Sequence, residues 1–210
     1  MPLFKTITHN KTTSIFAWKI DESLQELETS IVLNEHSQKR LNGMRSESHK
    51  KGFLAVRKLL EVADLSDFDL FYTEDGKPHL KDGRKITISH SFEFSVIAIS
   101  DSDIGIDIEK NRDKIQRIAS KFIGKEADYL VDDQLTEQLT VIWGAKESLF
   151  KIHPDGGLLF IEHLPIEPFR LYRKHTKGHI LKHPFKESYH IYFDIFEGYT
   201  LVYATNEIKC

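Results

Sequence analysis

Cysteine occurs once in the 210 residues, as Cys210 at the end of the chain. That excludes an intramolecular disulfide and any zinc site built on two thiolates. Long apolar runs are also missing, since stretches such as Val96-Ile97-Ala98-Ile99 are strand-sized and far short of a membrane span. The opening Met1-Pro2-Leu3-Phe4-Lys5-Thr6 loses its apolar character too soon for a signal-peptide core. Nor is there an excess of positive charge. Twenty-nine Lys and Arg face 32 Asp and Glu, and a formal net charge of −3 excludes a globally basic nucleic-acid binder. No Walker A loop, Rossmann fingerprint or Gly-x-Ser-x-Gly elbow occurs. The expectation from these absences is a soluble, cytoplasmic protein. What is present, 40% apolar and 11% aromatic residues, belongs to a folded chain. Such a chain buries roughly 70% of its unfolded surface, in one domain or two small ones.

Charge is distributed in blocks. Lys39 to Lys58 holds seven Lys/Arg and one Glu, and Glu61 to Asp75 holds six acids and no base. Lys110 to Lys125 carries six Lys/Arg against Asp113, and Arg170 to Lys186 carries six Lys/Arg, three His and no acid. Basic blocks inside an acidic chain point to local anion sites more than to a global field.

Periodicity predicts an α+β chain. Ser14–Ile20 alternates as a strand, and Asp21 or Ser23 is placed to cap a helix carrying Leu24, Leu27 and Ile31. A long helical stretch runs from about Glu35 to Ala63, with a break expected near Gly43 or Gly52. Phe68–Tyr72 alternates up to the turn signal Glu74-Asp75-Gly76-Lys77-Pro78. Strands fit Lys85–Ser89, Phe92–Ser100 and Ile104–Glu109; helical patterning fits Asp113–Lys121, Lys125–Val131 and Leu135–Ile152; a hairpin fits Tyr189–Phe196 with Tyr199–Thr205. The chain also repeats itself. Phe94–Ser100 lies over Tyr199–Thr205 at an offset of 105 residues, and Phe53–Leu60 lies over Trp143–Phe150 at an offset of 90. Helix followed by hairpin in each half predicts two pseudo-symmetric subdomains, 1–103 and 104–210, each a helix packed on a small antiparallel sheet, with a cleft between them.

Three clusters carry candidate chemistry. In Ile104-Gly105-Ile106-Asp107-Ile108-Glu109, a strand puts the isoleucines on one face and both carboxylates on the other. Paired carboxylates repel unless a cation or base lies between them, so they form a half-site for Mg²⁺, which wants oxygen ligands. In Trp143-Gly144-Ala145-Lys146-Glu147-Ser148-Leu149-Phe150-Lys151, helical spacing aligns Trp143, Glu147 and Lys151. Glu147 then offers a third carboxylate, with Lys146 and Lys151 beside it to hold a phosphate. Gly76-Lys77-Pro78 and Ser89-His90-Ser91 add a shaped turn and donors suited to phosphate or base edges. His175, His179 and His183 recur every four residues, but Gly178 and Pro184 argue against a helix, so surface histidines are expected.

Gly-Ile-Asp-Ile-Glu, then Phe122-x-x-x-Glu126, then Trp-x-x-Lys-Glu-Ser-x-x-Lys resembles the signature of the 4′-phosphopantetheinyl transferase superfamily. With Gly-Lys-Pro and Ser-His upstream, it is similar to the longer, surfactin-synthetase-activating type, a monomer of two pseudo-symmetric halves. The resemblance implies transfer of the phosphopantetheine arm of coenzyme A to a serine of an apo carrier protein, with adenosine 3′,5′-bisphosphate leaving. It implies Mg²⁺ on Asp107, Glu109 and Glu147, pyrophosphate on Lys151, Lys146 at or near the chemistry, and Glu126 in activating the serine directly or through water. For coenzyme A it implies Lys77 and Pro78 at the adenine, Ser89 and His90 at its phosphates, and Arg40 at the 3′-phosphate, with Arg45 and Lys51 as neighbours. The upstream basic motif departs from the pattern, because Ser48-His49-Lys50-Lys51-Gly52 is unusual there.

Two other readings stay open at this level. One is a different Mg²⁺-dependent phosphotransferase or hydrolase using the same carboxylates; the other is a non-catalytic carrier-binding protein. Carrier proteins are typically acidic, so the blocks at Lys110–Lys125 and Arg170–Lys186 are candidate docking surfaces. The single Cys210 lies outside every motif, so the thiol of such a reaction belongs to coenzyme A.

Overall fold

Alternating apolar residues set the strands of a first sheet, in which β1 (Leu3–Thr8) pairs antiparallel with β2 (Ser14–Lys19). The computed structural model describes residues 3–153, 157–206 and 208, so Cys210 lies outside the described residues. Three helices follow: α1 (Leu24–Thr29), α2 (Glu35–Gly43) and α3 (Glu47–Val62). Ser23 and Glu26 close a capping box at the start of α1, satisfying two amides that have no partner inside the helix. A two-stranded ribbon, β3 (Leu70–Tyr72) with β4 (Pro78–Leu80), precedes the hairpin of β5 (Lys85–Ser91) and β6 (Phe94–Ser100). The first sheet has the order β1-β2-β6-β5, and α3 lies on β2, β5 and β6. Phe53, Leu54, Val56, Leu59 and Leu60 of α3 are buried there with Trp18, Ile97 and Ile99. This is the first of two compact units, Met1–Asp101 and Ser102–Cys210.

The second unit opens with β7 (Ile104–Lys110) and a short α4 (Lys114–Ile118), then passes through three single 3₁₀ turns. Its long helix α5 (Leu135–Ile152) is followed by α6 (Phe160–His163) and the strands β8 (His175–Lys182), β9 (Phe185–Phe196) and β10 (Tyr199–Thr205). The sheet order is β7-β10-β9-β8, and α5 packs chiefly on β7 and β10. Both units therefore share one plan: a strand, a helix laid on it, and a hairpin whose second strand pairs with the first. The hairpins match in register, with Ser91 opposite Phe94 and Phe196 opposite Tyr199. At the 105-residue offset, Phe92 and Glu197 adopt the same left-handed φ of 48°. No helix among the described residues is long and apolar enough to cross a membrane.

Several expectations need correction. The break expected near Gly43 in the long helix from Glu35 is found there, at Met44–Ser46, where Met44 is extended and Ser46 caps α3, whereas at Gly52 the helix continues. Ile31 lies beyond α1. Phe92 forms the turn of its hairpin and does not start the strand. The helical segment from Asp113 is present over Lys114–Lys121, its last turn 3₁₀, whereas the one from Lys125 is a 3₁₀ segment ending at Tyr129. Strands β1 and β8 were not foreseen, and both occupy sheet edges, where half the residues face solvent and the apolar pattern thins. On β8, His179 is engaged by Ser188 and Glu167.

Two buried charges tie the first unit together. Arg57 Nε donates to Asp67 Oδ1 at 2.8 Å, and the other guanidinium nitrogens reach Phe53 O and Ser37 Oγ, each at 3.1 Å. Asp67 also accepts from Asn34 N and Ser37 Oγ, each at 2.8 Å. The pair is fully hydrogen-bonded, which is the condition under which buried ions are tolerated.

Candidate active site

β7 buries Ile104, Ile106 and Ile108 by alternation and turns Asp107 and Glu109 the other way, opposite Val202 and Thr200 of β10. The approach of α5 is set by two glycines. A Cβ on Gly105 would stand 1.9 Å from Ser148 O, and one on Gly144 would stand 2.7 Å from Val202 Cγ2 and 3.6 Å from Asp107 Oδ2. Helix and strand backbones therefore meet closely, and Lys151, on the Trp143–Glu147–Lys151 stripe, reaches a β7 carboxylate. Gly105→Ala should push α5 off β7. The expected cost is about 1–3 kcal/mol in urea unfolding, with a loss of any activity that needs the carboxylates.

Lys151 Nζ donates to Ile106 O at 2.7 Å and to Asp107 Oδ1 at 2.9 Å. Asp107 is buried and Lys151 half-buried, so this ion pair is shielded better than a surface one. Glu147 experiences the same charges. Burial pushes its carboxyl up, negative Asp107 pushes further and Glu109 adds less, while Lys151 opposes, leaving the pKa at about 7.

Lys146 departs from the expectation that it stands beside Lys151 to hold phosphate. It is fully buried, and its Nζ lies 2.7 Å from Glu126 Oε1 while donating to Phe122 O at 2.6 Å and Phe160 O at 3.0 Å. Glu126, also buried, accepts from Gly124 N at 2.8 Å and Ile166 N at 3.1 Å. Burial alone would raise the Glu126 pKa, but the Lys146 ammonium and the Gly124 amide outweigh it and hold the carboxyl below its ordinary value. Burial pulls the Lys146 pKa down, with Glu126 opposing, and the Nζ is surrounded by a carboxylate and two carbonyl acceptors. This pair fastens the 122–126 and 160–166 segments to α5, and Trp143 packs edge-on to Phe122 at 5.2 Å above it.

Could these residues hold a divalent cation? The donor set of three carboxylates, two on β7 and one on α5, suits a hard cation, and Glu147, raised first by burial and then by the Asp107 charge, is close enough to feel both β7 carboxylates. Among the described residues no group of three or more His, Cys, Asp or Glu stands ready-assembled around a metal position. The local positive charge on Asp107 is instead supplied by Lys151.

The candidate coenzyme residues lie in the first unit. Lys77 is in the β3–β4 turn, and Pro78 pairs across the ribbon with Tyr72. Arg40, in the last turn of α2, lies over the Tyr72 ring at 4.7 Å, which brings Arg40 and Pro78 to one place. Ser89 and His90 are neighbours on β5. The His90 ring stacks on His49 of α3 with centroids 5.9 Å apart and planes at 21°. A Cβ at Gly52 would come 2.6 Å from His90 Cδ2, so the glycine of the unusual Ser-His-Lys-Lys-Gly stretch makes room for this histidine. Sequence reasoning missed Tyr72 and His49, although the departure at Ser48–Gly52 marked the second. Lys51 lines a separate cavity of about 340 Å³ with Ile20, Glu47, Phe92 and Glu93. Arg45 is exposed in the loop between α2 and α3.

Residues 103–204 match the 4′-phosphopantetheinyl transferase superfamily. The chain is 31% identical over 157 residues to 4′-phosphopantetheinyl transferase gsp of Aneurinibacillus migulanus, covering 70% of this chain and 64% of that relative. It is 28% identical over 182 residues to 4′-phosphopantetheinyl transferase Sfp of Bacillus subtilis strain 168, covering 79% of each, and equally to ffp of Bacillus subtilis. The chain thus spans less than two thirds of the first of these relatives. The chain is thus similar to the phosphopantetheinyl transferase superfamily over its second half, and the paired sheet-and-helix units are consistent with that family's fold.

Proposed function

We propose that this chain transfers the 4′-phosphopantetheine arm of coenzyme A to a serine of an apo acyl or peptidyl carrier protein, a holo-acyl-carrier-protein synthase activity of the surfactin-synthetase-activating type. One observation carries the reading: α5 lies close enough to β7 for Lys151 to reach Asp107 and for Glu147, raised first by burial, to feel the charges of both β7 carboxylates, within the segment that matches the superfamily. In this reading residues 1–103 supply the coenzyme contacts, at Arg40, Lys77, Pro78, Ser89 and His90. Residues 104–210 supply the chemistry.

Asp107, Glu109 and Glu147 are the residues that would hold Mg²⁺. When bound, the cation offsets charge on the pyrophosphate during phosphoryl transfer. The chain itself does the rest by placement. Lys151, an ammonium on the same helical stripe as Glu147, neutralises charge gathering on the leaving phosphate. Glu126 and Lys146 act in the arrangement seen here as a positioning pair, keeping the 122–126 segment against α5. A part for Glu126 in taking the serine proton requires that pair to open. The acceptor is an acidic carrier, drawn to the basic surface blocks; the chain works as a monomer.

The test is mass spectrometry of several apo carrier proteins incubated with coenzyme A, Mg²⁺ and the protein. The expected result is a phosphopantetheine mass gain on the carrier serine with stoichiometric adenosine 3′,5′-bisphosphate. No gain on any carrier would refute the proposal.

A further inference from the structure

Arg40 is held unlike the other cations around it. Its neighbour Lys39 is tied to Glu35 at 2.6 Å, one helical turn away. Arg40 instead lies over two aromatic rings, Tyr72 at 4.7 Å and Phe53 at 5.6 Å from the centroids, and no carboxylate of the described residues is paired with it. Phe53 is itself fixed, because the buried guanidinium of Arg57, locked by Asp67, sits 3.5 Å from its centroid. Tyr72 is fixed by β3, where it opposes Pro78. A guanidinium lying against rings satisfies its face and keeps its N–H donors in the plane for a planar or tetrahedral anion. The end of α2 adds its own attraction for the cation.

We propose that Tyr72 is a positioning residue: together with Phe53 it sets Arg40 in the orientation that takes a phosphate group of the coenzyme. This rests on the coenzyme A reading above. The chemistry required is a phosphate carried near Pro78, and coenzyme A has two sources of it, the 3′-phosphate and the pyrophosphate. Tyr72 makes no contact of its own with the anion; it removes the freedom that a long exposed arginine would otherwise lose on binding.

Calorimetric binding of coenzyme A and of 3′-dephospho-coenzyme A to the full chain tests this in wild type, Tyr72→Leu, Tyr72→Phe, Arg40→Gln and the Tyr72→Leu/Arg40→Gln double variant. Tyr72→Leu should weaken coenzyme A binding roughly 3- to 10-fold, as loss of ring support for the cation implies. Tyr72→Phe should bind as wild type does, since the ring is kept. In the Arg40→Gln background, Tyr72→Leu should add nothing, because a positioning residue acts only through the group it positions. If the weakening disappears with the dephospho ligand, Arg40 takes the 3′-phosphate; if it persists, the pyrophosphate. Additive losses in the double variant would overturn the proposal, as would wild-type affinity in Tyr72→Leu or equal losses in Tyr72→Leu and Tyr72→Phe. Melting temperatures of the variants separate misfolding from altered binding. A wild-type chain that binds coenzyme A but modifies no carrier defeats the transfer reading alone, whereas transfer with normal binding by Tyr72→Leu defeats this one alone.

Discussion

Lys146→Met should cost about 3–5 kcal/mol in urea unfolding, the penalty for leaving one member of a buried ion pair uncompensated. The substitution roughly conserves length and apolar volume. What it removes is three N–H donors at once, orphaning Phe122 O and Phe160 O and leaving the buried Glu126 carboxylate with the amides of Gly124 and Ile166. For a domain held together by 5–15 kcal/mol, that is a large share. Glu126→Gln should also destabilise, since its one amide oxygen can keep Ile166 N and Lys146 at the Oε1 position only by turning its NH2 toward the Gly124 N–H. Adding Glu126→Gln to Lys146→Met should recover part of the loss, because no buried charge then remains; the two changes will not add. A Lys146 that served mainly to hold substrate phosphate would give the opposite pattern, with near-normal stability and a raised KM for coenzyme A.

Why the sequence does not disclose this is a matter of range. Lys146 sits beside Glu147 on α5, so local spacing reads it as part of the polar stripe. Its partners lie 20, 24 and 14 residues away, at Glu126, Phe122 and Phe160, and two of them are backbone carbonyls with no signature in residue type. By contrast α5 itself, Leu135–Ile152, is legible end to end, because its apolar positions repeat at helical spacing. The β7 motif is equally plain, since three isoleucines alternate with two carboxylates. The repeat between the halves is visible because hairpin register and the helix beneath it are both set by apolar pattern. The ring support of Arg40 was hidden for the same reason as Lys146: it depends on where α2 stops and on the pairing of Tyr72 with Pro78, neither of which is a local property.

Asp107→Ala and Glu147→Ala should each lower carrier modification by at least about 100-fold, more than the loss typical of groups that only support a metal ligand. The sharper measurement is of protons. Glu147 titrates at about 7 in the folded chain against an ordinary 4.5, raised first by burial and then by the Asp107 charge. A raised carboxyl binds its proton more tightly folded than unfolded. It therefore contributes stability that is complete below about 4.5 and is lost as pH rises through about 7. Without added cation, the wild type should lose stability across that window, and Glu147→Gln, which cannot ionise, should be flatter. A divalent cation on the same carboxylates reverses the sign, because it binds the ionised form. Mg²⁺ should therefore raise the melting temperature more at pH 8 than at pH 5.5. Below pH 7 its binding should release close to one proton, read by calorimetry in buffers of different ionisation enthalpy. Glu147→Gln should abolish that release. Mg²⁺ binding at pH 6 with no proton released would show that the cation does not use Glu147. The Asp107–Lys151 pair would then be the complete charge balance of the site, with activity depending on Lys151 and Asp107 but not on Glu147.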